Sequence, residues 1–131
     1  MTIVYGWRAD FDNATLDALH AEGFGAGPRG SDWVARVRRH SLGWVCGYDG
    51  DRLIGFVNVA WDGGEHAFLV DTVVAADLRG AGVGTRLVAT AADGARRAGC
   101  HWLHVDFLPG LSAFYLRACG FRPTAAGLLA L

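Results

Sequence analysis

The stretch from Val73 to Cys100, VVAADLRGAGVGTRLVATAADGARRAGC, constrains the architecture of this chain more than any other. It opens on a β-branched run and then carries glycines at alternate positions, Gly80, Gly82 and Gly84. Leu87, Val88, Ala91, Ala95 and Ala98 follow at spacings near 3.6 residues, and Gly99 closes the run. That periodicity predicts an amphipathic helix from Gly84 to Ala98 with a glycine stop. The segment HWLHVDF after it predicts a strand. Strand, loop, helix, strand is a crossover unit, and crossovers join parallel strands.

Upstream, the pattern is that of an antiparallel meander. Ile3 to Trp7 reads as a first strand, and Asn13 or Thr15 starts a helix through Leu16, Leu19 and His20 that ends near Gly23. GFGAGPRG is a loop, after which Ser31 or Asp32 caps a second helix carrying Trp33, Val34 and Val37. LGWVCGY and RLIGFVNVAW flank an Asp49-Gly50 turn and predict a hairpin; the DGGE turn leads into HAFLVDTVV as the fourth strand of the chain. Beyond the fifth strand, HWLHVDF, a short helix is expected from Leu111 to Ala118 with Gly120 as its stop, and FRPTAAGLLAL is expected to supply closing strand. The fold class is α+β: a mixed sheet, antiparallel meander plus a parallel pair, with helices on both faces.

With 131 residues the chain is read as one domain, 1–131, large enough for a single core. A hydrophobic fraction of 52% excludes a disordered chain. No apolar run approaches the roughly 20 residues of a membrane span, and the N-terminus lacks the pattern of a signal peptide. Net charge is −1 with no basic block, which argues against nucleic acid as a partner. Cys46, Cys100 and Cys119 have no metal-ligand spacing and sit in apolar runs, so reduced thiols in a cytoplasmic protein are expected, with no metal.

A loop that opens a helix presents amides without intrahelical partners and the positive end of the helix dipole. Glycines there remove side chains that would hold an anion away, and Arg79 and Arg86 add positive charge at either end. The chemistry is that of a phosphate cradle. A P-loop is excluded because all 12 basic residues are arginine and none is lysine. A dinucleotide fingerprint fails on spacing, since Thr85 or Leu87 stands where its third glycine belongs, although Asp106 mimics the ribose-binding acid.

The spacing [RQ]xxGx[GA] fits Arg79-Gly80-Ala81-Gly82-Val83-Gly84, and AFYLRACGF, from Ala113 to Phe121, fits FYxxxGF. On these two motifs the chain resembles the GNAT superfamily of N-acetyltransferases, in which the loop holds the pyrophosphate of coenzyme A. The resemblance implies a strongly twisted sheet whose fourth and fifth strands splay at the co-substrate, acetyl-CoA. It implies that Thr72, Val73 and Val74 pair their backbone with the pantetheine arm, as an added strand would. Arg79, Gly80, Ala81, Gly82, Val83, Gly84 and Thr85 are implied as the pyrophosphate loop, and a backbone amide at or near Val74 as the oxyanion donor. Tyr115 takes the position that in many relatives protonates the departing thiolate; a phenol, pKa about 10, suits that task.

The group that accepts the amine proton is less constrained. Alternation on the fifth strand places Trp102, His104 and Asp106 on one face, with Asp106 nearest the expected cleft. Asp106, through water and with His104, is one candidate. A structural pair between Asp71 and His104 is the alternative, because Asp71 interrupts an apolar strand and an unpaired buried carboxylate there is costly. His66 is a weaker candidate, and His20, His40 and His101 read as surface or helix-end residues. In this fold the acceptor, a small-molecule or peptide amine, enters between the first two helices and strands four and five. Phe24, Trp33, Trp44 and Trp61 are candidate walls, and Arg36, Arg38 and Arg39 read as a solvated helix face. The segment DFLPGLSAFY lacks the asparagine that relatives often carry, which keeps a non-catalytic acyl-CoA sensor in view beside the transferase; a small nucleotide-binding redox protein is the remaining rival. Dimers are common in the family, and nothing in this sequence demands one.

Overall fold

The computed structural model describes residues 2–131. A five-stranded sheet in the order β1-β2-β3-β4-β5 runs through it. Its strands are β1 (Ile3–Trp7), β2 (Ser41–Asp49), β3 (Arg52–Trp61), β4 (His66–Val74) and β5 (Trp102–His104). The first four are antiparallel and β4 pairs with β5 in parallel, as the mixed-sheet reading required. Helices α1 (Asn13–Phe24) and α2 (Trp33–His40) pack against the sheet, and α3 (Val83–Arg97) is the crossover between β4 and β5. Among the described residues no helix is long and apolar enough to cross a membrane.

Local chemistry sets the boundaries. Asp12 caps α1 by accepting from the Thr15 amide at 3.0 Å, and Asp32 caps α2 by accepting from Ala35 at 3.1 Å. Two further polar groups tie the pair together. Asn13 donates to Asp32 and accepts from the Val34 amide, while Asp17 accepts from the Gly30 amide at 2.8 Å and from the Trp33 indole at 3.2 Å. Asp17 is only 7% exposed, and the Gly30 amide keeps its carboxyl below the usual range despite burial. The glycine-rich loop between the helices is therefore pinned to α1.

Close approach of α3 to the opposite face requires glycine on the sheet. A Cβ at Gly55 would stand 2.9 Å from Leu87 and 3.2 Å from Val83. Near the C-terminal end of α3, the Trp7 ring fills a slot between Gly43 and Gly94 that admits no Cβ on either side. Phe56, Ile54, Leu87, Val45, Val57 and Val59 are fully buried in the resulting core.

Two expectations are corrected. The fifth strand was expected over HWLHVDF, but the ladder with β4 has three rungs, His66 with Trp102, Ala67 with Leu103 and Phe68 with His104. Alternating exposure continues through Phe107, so the chain stays extended while it leaves β4. FRPTAAGLLAL forms no strand. Its only β-branched residue is Thr124, and apolar content without β-propensity or alternation does not make a strand. The short helix is a 3₁₀ turn at Pro109–Leu111 followed by a π-helix at Ala113–Ala118.

A bulge in β4 completes the frame. Phe56 pairs with Val73 and Asn58 with Val70, so Asp71 and Thr72 together oppose Val57. Asp71 takes φ 59, a left-handed value that Asp tolerates better than most side chains. A bulge of this kind re-aims side chains and weakens pairing beyond it.

Candidate active site

Where β4 ends, a 3₁₀ turn (Ala76–Leu78) leads into the glycine loop. Gly80 and Gly82 have φ 82 and 83, and nothing lies within 4 Å of a Cβ built on either. Gly82 is the N-cap of α3, with no side chain capping the helix, and the first helical bond runs from the Arg86 amide to the Gly82 carbonyl at 3.2 Å. The amides of Val83, Gly84 and Thr85 therefore have no intrahelical partner at the positive end of a fifteen-residue helix. Gly84 has a different reason to be glycine: a Cβ there would sit 3.0 Å from the Phe114 ring, so it admits the π-helix against α3. Arg79 reaches back to the end of β4, its Nε donating to the Val74 carbonyl at 3.4 Å. Arg86, expected beside the loop, instead lies over the Tyr5 ring at 5.2 Å, because its place on the helix turns it toward β1.

A cavity of about 820 Å³ opens beside this loop. Thr85 and Val88 of α3 line one side, Leu69 and Val105 the floor, and Cys119 and Phe121 the far wall. It lies where β4 and the chain after β5 diverge. The Ala75 amide bonds to Ile54 on β3, so the two-residue period of the strand turns the amides of Thr72 and Val74 to the opposite edge, toward the divergence.

Tyr115 lies behind the cavity wall formed by Phe107 and Phe121, 6% exposed and packed by Phe107, Phe114 and Phe121 at centroid distances of 4.9, 4.7 and 5.9 Å. Burial pushes its phenol above the ordinary value, partly offset by the nearby Thr72 side chain. Cys119 is half-buried, and burial pushes its thiol up, which disfavours a nucleophilic thiolate.

Of the remaining candidates, His104 and Asp106 also line this cavity, and Asp71 does not. Asp71 and His104 do not pair. His104 faces His66, Nε2 to Nδ1 at 2.8 Å, and stacks on Phe68 at 4.6 Å. Asp71 pairs instead with His20 of α1, Oδ1 to Nε2 at 2.9 Å. His20, read from the sequence as a surface residue, is half-buried, stacked on Phe24 at 4.3 Å and tilted against Trp33 at 4.7 Å. The link was hidden because 51 residues separate the two, and the one visible signal was a carboxylate interrupting an apolar strand. Asp106 shares the exposed face with Trp102 and His104, beyond the end of β5. Trp33 and Trp44, both candidate walls, belong to the buried core, Trp44 donating to the Ala9 carbonyl at 2.7 Å. His101 lies exposed, 3.6 Å from Glu65. Among the described residues no cluster of three or more His, Cys, Asp or Glu has the arrangement of a metal site.

Comparison with known proteins bears on what this geometry belongs to. A probable glucosamine 6-phosphate N-acetyltransferase of rice (Oryza sativa subsp. japonica) is 41% identical over 59 residues, which is 45% of this chain and 35% of the rice protein. The match thus spans about a third of that curated relative. A Trypanosoma brucei acetyltransferase superposes with a TM-score of 0.83 at 20% identity, covering 99% of this chain and 100% of the other. An aminoglycoside N-acetyltransferase solved with CoA superposes at 0.75 with 18% identity, covering 99% and 94%. Both structures share this fold. Residues 9–121, from the approach to α1 through the end of the FYxxxGF segment, match the Acetyltransferase (GNAT) family, and the chain belongs to it.

Proposed function

We propose that this protein transfers an acetyl group from acetyl-CoA to a primary amine held in a ternary complex. One observation carries the reading: the left-handed glycines at Gly80 and Gly82, with nothing within 4 Å of a Cβ on either, open α3 without a capping side chain beside a cavity lined by Thr85 and Val88. Arg79, Gly80, Ala81, Gly82, Val83, Gly84 and Thr85 hold the pyrophosphate through backbone amides and the helix dipole. The pantetheine arm runs along the edge of β4 at Thr72, Val73 and Val74. The Val74 amide, turned to that edge, donates to the thioester oxygen as charge develops; a preorganised donor of this kind contributes roughly 3–4 kcal/mol.

The amine nitrogen attacks the thioester carbon, a C–N bond forms, and the tetrahedral intermediate collapses with loss of the C–S bond. Tyr115 gives its phenolic proton to the leaving sulfur and regains one from the nitrogen. A raised pKa suits this role, because the phenol stays protonated through neutral and mildly alkaline pH. The proton released from the incoming ammonium leaves to water by way of Asp106 and His104, exposed side chains that line the cavity. The acceptor is a small-molecule or peptide amine, approaching between α1, α2 and the exposed face of β4 and β5.

Thermal unfolding with acetyl-CoA and, separately, with NADH is the first test. Ligand at 100 times Kd stabilises by about 2.7 kcal/mol. A shift with NADH alone refutes the reading. Tyr115→Phe should leave acetyl-CoA affinity intact and lower kcat about a hundredfold, within the range of general acid catalysis. Affinity without turnover in the wild type, over a broad amine panel, identifies an acyl-CoA sensor instead.

A further inference from the structure

We propose that the acceptor is an arylalkylamine, its ring seated on Phe68 and Trp102 and its ammonium turned toward Asp106, an assignment that rests on the transferase reading above. The parallel ladder lays out the floor. His66 stands beside Trp102 and Phe68 beside His104, and past the ladder the two chains continue to Val70 and Asp106. Alternation turns all six to the sheet face away from Ala67 and Leu69, which are buried. A solvated sheet face ordinarily carries polar side chains. Here Phe68 is 39%, Val70 38% and Trp102 53% exposed, so three large apolar groups lie open on one face.

The rings are held in place, and they adjoin the co-substrate. His104 stacks on Phe68 at 4.6 Å and shares a hydrogen bond with His66, while Arg122 lies over Trp102 at 5.6 Å and covers one face of the indole. Phe68, Trp102, His104 and Asp106 line the same cavity as Thr85 and Val88 of α3. Leu69 lines it too, from the other face, so the cavity reaches both sides of the sheet where β4 and the chain after β5 diverge. A molecule lying on the rings therefore shares a space with the helix that the glycine loop opens. Unlike Trp33 and Trp44, which the core absorbs, these rings face that space.

Charge and spacing narrow the occupant. Asp106 is the one carboxylate among the six floor residues, which suits a single ammonium and not a polycation. A sugar phosphate would set its hydroxyls against rings that offer them no hydrogen bond. Two residues of extended chain, about 7 Å, separate Asp106 from His104, the register partner of Phe68. A short alkyl chain between nitrogen and ring spans that distance. With the nitrogen level with Asp106, the ring rests on Phe68 and its far edge points to Trp102.

The test measures coenzyme A thiol release with phenethylamine, tryptamine and phenylbutylamine, against glucosamine 6-phosphate, kanamycin and a lysine peptide. For the best arylalkylamine, wild-type kcat/KM should exceed that of each polar amine by about tenfold or more. Phe68→Ala and Trp102→Ala should each raise its KM about tenfold with little change in kcat, the size of one lost ring contact. Asp106→Asn should raise it about threefold. Tm and the Tm shift given by acetyl-CoA should stay near wild type in both ring variants, since both rings are exposed. A polar amine preferred over all three aryl amines, or an unchanged KM in both ring variants, refutes the assignment and leaves the transferase reading intact. Sedimentation supplies a further check: a wild-type dimer that Trp102→Ala dissociates would give the rings to a second copy and refute the assignment as well. Wild type that binds acetyl-CoA yet releases no thiol with any of these amines overturns the transferase reading, and this assignment with it.

Discussion

Gly82 and Gly99 offer a matched experiment on the cradle, because they bracket the same helix. Both have left-handed backbones, φ 83 and 94, and a Cβ on either meets nothing within 4 Å. Alanine at each should therefore carry the same backbone penalty, a net of about 1 kcal/mol once the stiffer unfolded chain is counted. At the usual entropy of unfolding per residue, 131 residues convert this to a Tm loss of about 3–4 °C. Ligand affinity is where they part. The Gly82 methyl enters the space over the α3 amides, where hydrogen bonds to a charged group are worth about 1.5–3 kcal/mol, so acetyl-CoA should bind roughly ten- to a hundredfold more weakly. The Gly99 methyl lies at the other end of α3 and should change nothing in binding. Calorimetric titration with acetyl-CoA, paired with melting curves, reads both quantities. Equal affinities for Gly82→Ala and Gly99→Ala would mean that these glycines merely turn the chain, and the cradle argument would fail.

Gly94→Ala should lower Tm, although the same change in an ordinary helix gains about 1 kcal/mol. Its Cβ would lie 2.5 Å from the Trp7 ring, and overpacking costs about 1–3 kcal/mol, so a melting curve moved upward would contradict the packing described. Alkaline stability should be limited by Cys46. Burial, with Asp10 nearby, pushes its thiol from 9.0 to about 12, so between those values the unfolded chain has released a proton that the folded chain retains. Stability is intact below about pH 9 and falls as pH rises toward 12, by as much as about 4 kcal/mol. Urea titrations of wild type and Cys46→Ala at pH 8 and 11 should show the variant with the flatter dependence.

Most of the fold was legible because its elements carry period and punctuation. Leu87, Val88, Ala91 and Ala95 trace one face of α3, and Asp32 and Gly50 mark a cap and a turn that the structure retains. What misled was side-chain pattern taken for hydrogen bonding. Alternation from Trp102 to Phe107 persists after the ladder has ended at His104, since an extended chain alternates whether or not it is paired. The C-terminal leucines looked like strand on apolar content alone. The left-handed glycine loop that opens α3 was readable because it lies within a compact motif. The His20–Asp71 pair was not, because it depends on a bulge that adds one residue to β4 and on the angle at which α1 crosses it. Neither leaves a local mark in the sequence. Arg86 shows the same limit: proximity to the loop in sequence says nothing of the helical phase that carries it to Tyr5.

The Trp7 ring between Gly43 and Gly94 acts as a locating pin. It fixes the far end of α3 to β1 and β2, at the edge of the sheet most distant from β5. From Gly94 back to Gly82 is about 18 Å of rigid helix. The height and tilt of the anion-binding end are thus gauged from the first strand of the chain rather than from the residues around the ligand. A small displacement at that pin is carried the length of the rod, so affinity can be tuned from a position that never approaches the co-substrate.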